Sequence, residues 1–165
     1  GHGRAGADSH QELPRVDAPL EVLKQSDFIP FQALAHMPMA MSAHVIYTAI
    51  DPERPATISP IVVEHVIRGL IGYDGLVMSD DLSMKALAGS FNEKTERLFA
   101  AGLDMALHCS PDLSESIEVA NASPWLDGKR AERANRALAM LLQSPEPIDS
   151  VDASARLDAR LAISA

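Results

Sequence analysis

Three short apolar runs, each ending in polar residues, constrain this chain more than any other feature. They are MPMAMSAHV (Met37 to Val45), the run within YDGLVMSDD (Tyr73 to Asp81), and LDMALHC (Leu103 to Cys109). The strands they predict begin near residues 39, 75 and 103, giving repeats of 36 and 28 residues. A strand plus its crossover helix takes ~30 residues, so the spacing predicts an α/β chain with a parallel sheet. Polar residues gather after each run: Ser42 and His44, Ser79 to Asp81, and His108 and Ser110. Parallel α/β folds bind ligands at those carboxyl ends. Three strands cannot close a barrel, which needs ~250 residues, so a barrel would have to draw much of itself from outside this sequence.

Helical patterns fill the intervals. Apolar residues recur at helical spacing from Pro19 to Ala35, with Pro30 as a break or kink. After the Pro-punctuated loop Asp51 to Pro60, Ser59 reads as an N-cap, Pro60 as the first helical position and Gly72 as the stop. A short helix is expected from Leu82 to Leu87, and a longer one over NEKTERLFAA, closed by Gly102. Two more fall near Leu113 to Asn121 and Asp127 to Leu142, and the tail after Pro145 is weakly helical around Ala153 to Leu161. Met37, Met39, Met41 and Met78 read as core filling.

Composition removes several function classes. The 165 residues are 47% apolar and 22% charged, which suits a packed core rather than a disordered chain. The net charge is −9 and no basic run is long enough to track phosphates, which argues against nucleic acid or an anionic membrane as partner. Cys109 is the sole cysteine, so no internal disulfide can form; it is expected to be small and buried. The apolar runs fall short of the ~20 residues of a membrane span, and no signal peptide is visible. A soluble, cytoplasmic protein is the expectation.

Two places carry candidate chemistry. Ser79, Asp80 and Asp81 follow a strand, and carboxylates there can serve as nucleophiles, bases or metal ligands. Adjacent residues at a strand end point in opposite directions, so the two acids should have different roles, one facing a pocket and one capping the next helix. The plainer reading makes both of them turn acids. Asp8 and His10 are one residue apart in a Gly-rich loop, where both side chains can face the same way. A carboxylate beside an imidazole orients the ring and raises its basicity; a solvated turn is the alternative. His44 and His108 follow strands and could face a ligand or sit satisfied in the core, and His2 completes the set.

GHGRAGADSH followed by LP, then DFIPF, MSAHVIY, DGLVMSDDLSM and AGLDMALHC, together resemble the bacterial β-N-acetylglucosaminidases of glycoside hydrolase family 3, the type that acts in peptidoglycan recycling. The matching segments run in the family's order from Gly1 to about Leu142. The resemblance implies the C-terminal part of a (β/α)8 barrel over residues 1–144, about three βα units plus helices, with a separate tail over 145–165. It implies Asp80 as nucleophile, His10 as general acid/base and Asp8 as the residue that orients His10. His2, His44, Asp81 and His108 are expected to help bind substrate. No cofactor or metal is implied. The substrate would be an N-acetylglucosamine-containing muropeptide or oligosaccharide. The upstream half of the barrel, with the Lys-His pair that precedes this Gly-His-Gly in the family, would be a required partner. Without it the 165 residues are expected to be aggregation-prone and inactive. One departure is Leu70, where the family usually places a charged residue two after its equivalent of Arg68; the position is remote from the chemistry.

Two other readings compete. His2, His10, His44, His108 and Asp80 could be assembled into a divalent-metal hydrolase site, although the sequence has neither a His-x-His pair nor a His-Glu-x-x-His helix. A non-catalytic sugar-binding barrel remnant is the other, and the intact set Asp8, His10 and Asp80 argues against such decay.

Overall fold

A computed structural model describes residues 2–142, 144, 145 and 147–163. It is an α/β structure in which β2 (Met39–Met41), β4 (Leu76–Asp81) and β5 (Met105–Leu107) form a parallel sheet in the order β2-β4-β5. β1 (Arg15–Val16) and β3 (Ile46–Tyr47) pair as a second, two-stranded parallel sheet that sequence patterning missed, because two residues carry no readable alternation.

The helices follow the predicted intervals with local differences. The Pro19 to Ala35 pattern splits into α1 (Leu20–Val22), a wider-wound turn (Leu23–Asp27) and α2 (Ile29–Ala33). Pro30 sits in the first turn of α2, where its missing N–H is harmless, so it starts a helix more than it breaks one. Ser59 begins the next helical stretch, its hydroxyl accepting from Val62 N–H at 3.2 Å. That stretch continues through Val62–Leu70 with wider winding, as in Ile71 N–H to Val66 O at 2.8 Å, and ends at Gly72 with φ of 75°. α3 (Phe91–Ala100) opens on a capping box: Ser90 accepts from Glu93 N–H while the Glu93 carboxylate accepts from Ser90 N–H at 2.8 Å. It closes on Gly102, whose φ of 97° lets Leu103 N–H reach back to Leu98 O at 3.2 Å. α4 (Leu113–Ala122), α5 (Gly128–Ala139) and α6 (Ser150–Ile163) complete the chain.

Three expectations are corrected. Residues 82–87 form successive turns and no helix, so Asp81 caps a turn. Met37, Met39 and Met41 are 45%, 48% and 53% exposed instead of buried. They line a cavity of about 750 Å³ between α2, β2 and the Val62–Leu70 stretch. Among the described residues β2 and β5 have no strand on their outer sides. Cys109 is exposed, because it lies past the end of β5, where the chain leaves the core.

The buried core lies under the three-stranded sheet, with Val77, Leu82, Leu98 and Leu103 at its centre. Its base is tied by Asp104, nearly fully buried at the start of β5. The Asp104 carboxylate accepts Val77 N–H of β4 at 2.8 Å, Arg68 Nη2 at 2.7 Å and Arg133 Nη1 of α5 at 3.0 Å. Arg68 Nη1 in turn donates to Tyr73 O at 2.9 Å and Gly75 O at 2.7 Å. Removing one partner of a buried charge network strands the others. Asp104→Ala should therefore lower unfolding free energy by about 3–5 kcal/mol, read by urea denaturation. Asp74→Ala, which removes an exposed partner of Arg133 and Arg136, should cost less than ~1 kcal/mol.

Candidate active site

β4 carries both acids at its carboxyl end, and the two diverge as strand alternation requires. Asp80 lines the cavity; Asp81 does not. The divergence is sharpened by an irregular register between β4 and β5, where Met78 pairs with Met105 but Asp81 pairs with Leu107. Ser79, fully buried, fills the gap by accepting Leu107 N–H on its hydroxyl at 2.9 Å. Asp80 Oδ1 accepts the N–H of Asp81 at 2.9 Å.

Asp81 is occupied with the chain around it. Its Oδ1 accepts Ser83 N–H and Cys109 N–H, both at 3.0 Å, and its Oδ2 accepts the Ser83 hydroxyl. Partial burial, the largest single influence, would raise its carboxyl. The Ser83 hydroxyl, the two amides and the His108 charge outweigh it and hold Asp81 below the usual carboxylate value. Asp81 ties the ends of β4 and β5 together. Both its oxygens thus already have partners within the fold.

His44 is likewise engaged by its surroundings. It is fully buried, with Nδ1 at 2.9 Å from the Thr57 hydroxyl and Nε2 at 3.0 Å from the Asp81 carbonyl. A carbonyl only accepts, so Nε2 carries the proton. The neutral ring then accepts from Thr57 at Nδ1, and Thr57 accepts from the Ser42 hydroxyl at 2.9 Å. Burial, partly opposed by the Asp81 carbonyl, lowers the His44 pKa and keeps this tautomer neutral. Both ring nitrogens are thereby engaged within the fold.

His108 is buried too, its ring edge-on to Phe91 with centroids 4.8 Å apart. Its Nε2 lies 3.3 Å from Glu115 Oε2, but the angles do not make a hydrogen bond and neither ring nitrogen has a partner. It does not line the large cavity. The side chain of His2 lies outside the described residues.

The loop over residues 5–14 holds the second half of the site. Asp8 Oδ1 accepts both the backbone N–H of His10 at 3.0 Å and the Nδ1 proton at 2.8 Å. The ring is thereby fixed with Nε2 turned away from Asp8. Both side chains are largely exposed, 70% for His10 and 61% for Asp8. The hydrogen bond and charge of Asp8 raise the His10 pKa above its usual 6.5, and the charges of Asp80 and Asp81 add to the rise. A bond from Lys85 Nζ to Gln11 Oε1, at 3.4 Å, joins this loop to the turns that follow β4.

Sequence reasoning missed Thr57 and Lys94. Thr57 carries no signal, since its pairing with His44 is set by tertiary structure. Lys94 does carry one: it falls on the apolar stripe of α3, three residues after Phe91 and four before Leu98. It is buried and donates to the Leu82 carbonyl at 2.8 Å, with its Nζ 4.7 Å from the centre of the Phe91 ring.

The parallel sheet thus carries paired acids at one strand end, and a carboxylate–histidine pair stands on a separate loop. Residues 1–137 match the glycosyl hydrolase family 3 N terminal domain, and the chain belongs to that family. It is 42% identical over 121 residues to a beta-hexosaminidase of Bordetella pertussis, covering 71% of this chain and 34% of that one. A beta-hexosaminidase of Tolumonas auensis is 38% identical over 146 residues, covering 86% and 41%. The chain thus spans about a third to two fifths of the curated relatives it matches. Among solved structures, a family 3 beta-N-acetylglucosaminidase from Paenibacillus sp. superposes with a TM-score of 0.75 at 30% identity, over 91% of this chain and 32% of that one. NagZ from Neisseria gonorrhoeae, solved with N-trifluoroacetyl-D-glucosamine, gives 0.68 at 32% identity, over 87% and 44%.

Titration of the imidazole signals by NMR should place His10 above 6.5 and His44 below it. Asp8→Asn removes the two largest causes of the His10 shift and should return His10 toward 6.5, leaving His44 where it was.

Proposed function

We propose that this chain is the C-terminal part of the (β/α)8 barrel of a retaining β-N-acetylglucosaminidase. The observation that carries the reading is the pairing of two half-sites. Asp80 lines the cavity at the end of β4 with its neighbour Asp81 fully engaged, and the Asp8–His10 pair stands on a separate loop. The family match and the beta-hexosaminidase relatives support the reaction type. The sugar analogue bound to the Neisseria NagZ supports N-acetylglucosamine as the glycone.

In this mechanism a carboxylate oxygen of Asp80 bonds to the anomeric carbon as the glycosidic C–O bond breaks. His10 Nε2 gives its proton to the departing oxygen, and Asp8 stabilises the imidazolium before the transfer. His10 then takes a proton from water, whose oxygen attacks the anomeric carbon and expels Asp80. Two inversions leave the configuration retained. The exposure of Asp8 and His10 suits a loop that closes over the sugar before reaction. The substrate would be a muropeptide ending in β-linked N-acetylglucosamine, and the place of action the cytoplasm. The cavity and the open edges of β2 and β5 support a further part of the domain as partner, closing the barrel.

The test uses protein carrying the whole family domain and a chromogenic β-N-acetylglucosaminide. Asp80→Asn should lower kcat by roughly 10³-fold or more; near-normal turnover would end the proposal. His10 must be protonated for the first step, so its raised pKa extends activity to higher pH. The basic limb of the kcat/KM profile should therefore move to lower pH in Asp8→Asn, with a rate loss of about 10²-fold.

A further inference from the structure

The peptides that follow Asp80 are held from outside the turn they belong to. The bond from Asp81 N–H at 2.9 Å sets the direction of the Asp80 carboxylate, so that direction depends on where the Asp81 backbone sits. The next two carbonyls each accept from a buried side chain of a different segment. His44 Nε2 reaches the Asp81 carbonyl at 3.0 Å from beyond β2, and Lys94 Nζ reaches the Leu82 carbonyl at 2.8 Å from the first turn of α3. Leu82 N–H, between them, goes to Leu107 O at 3.0 Å.

Packing alone does not account for these two residues. Lys94 stands on the stripe that α3 turns to the core, where an apolar side chain would fill the space without desolvating an ammonium. Glu115 and Asp81 act on it only through space, and its hydrogen bond goes to the chain two residues beyond Asp80. His44 likewise brings a buried polar chain, Ser42 to Thr57 to imidazole, that ends on the Asp81 carbonyl. Residues 82–87 are turns, so no helix ladder holds the Leu82 carbonyl, and beside His44 the Asp81 carbonyl accepts a turn bond from Met84 N–H at 3.2 Å. We infer that His44 and Lys94 are positioning residues that clamp the Asp81 and Leu82 carbonyls and so aim the Asp80 carboxylate into the cavity. The inference rests on Asp80 being the attacking group.

Four variants test it in protein carrying the whole family domain: Lys94→Met and His44→Leu remove the donors, while Lys94→Arg and His44→Gln keep one. Kinetic constants are measured with the chromogenic substrate and normalised to folded protein by circular dichroism, with thermal midpoints taken alongside. The donor-less pair should lose roughly 10²-fold in kcat with KM little changed, as a misaimed reacting group does. Arg and Gln should recover most of the loss, whatever the thermal midpoints do. Unchanged kcat per folded molecule in the donor-less pair, or a loss that neither Arg nor Gln recovers, overturns the clamp. If Lys94→Met does not fold, His44→Leu against His44→Gln decides. Asp80→Asn run in parallel separates the two ideas. If it keeps the wild-type rate, the glycosidase reading fails; if it abolishes the rate while the donor-less variants match wild type, only the clamp fails.

Discussion

The fold depends first on one buried carboxylate. Asp104 joins β4, the helical stretch before it and α5 at a single point, and each of its oxygens meets a guanidinium. Burial would weaken the Arg68 charge, and the adjacent Asp104 opposes that change. Such a network is expensive to desolvate and adds little to stability over an apolar replacement, but it leaves few alternative registers for the strands it joins. With Val77 N–H bound to Asp104 and Asp104 N–H bound to Val77 O at 2.9 Å, β5 cannot slide along β4. A one-residue slip would turn Asp80 from the cavity to the opposite face.

The two ends of the sheet divide the work. The amino ends of β4 and β5 hold the Asp104–Arg68–Arg133 network, where fixed pairing matters. The carboxyl ends hold Asp80, Asp81 and the backbone groups around them, where the direction of one side chain matters. Parallel α/β folds separate stability from chemistry in this way, because every strand points its carboxyl end to the same side. The same division appears within the site. Asp80 sits on a strand braced by neighbouring backbone and side chains, whereas the exposed side chains of Asp8 and His10 bond to each other on a loop, on either side of the buried Ser9. In the proposed mechanism the attacking group is fixed and the proton donor arrives.

The parallel sheet was legible because the apolar runs MPMAM, GLVM and LDMAL repeat at the length of a βα unit, and a parallel sheet with crossover helices connects runs so spaced. The stop at Gly102 was legible because a left-handed C-cap favours glycine. What misled was context that lies far away in the sequence. Met39 and Met41 have the composition of core residues, but they are buried only if something covers β2. The turns over residues 82–87 look helical in composition; Asp81 and the carbonyl partners of His44 and Lys94 decide otherwise. Residue type alone points Cys109 to the core, but it lies two residues past the end of a short edge strand.

The candidate site was legible in its acids and in the Asp8–His10 pair, and illegible in the roles of its histidines. A histidine after a strand has two destinations, the cavity or the core, and the sequence around His44 and His108 is the same for both. What separates them is the partner on the far nitrogen. His44 finds Thr57, thirteen residues on and beyond a proline loop, and becomes a neutral donor to backbone. His108 finds only the edge of Phe91 and a badly angled Glu115, and its ring is left without a hydrogen bond. A buried imidazole with no partner is costly to keep, whereas His44 is fully satisfied. The contrast gives the two histidines different tolerance to replacement by an apolar residue: His108 gives up no hydrogen bond, whereas His44 gives up one to Thr57, which keeps Ser42, and one to the Asp81 carbonyl, which keeps Met84 N–H.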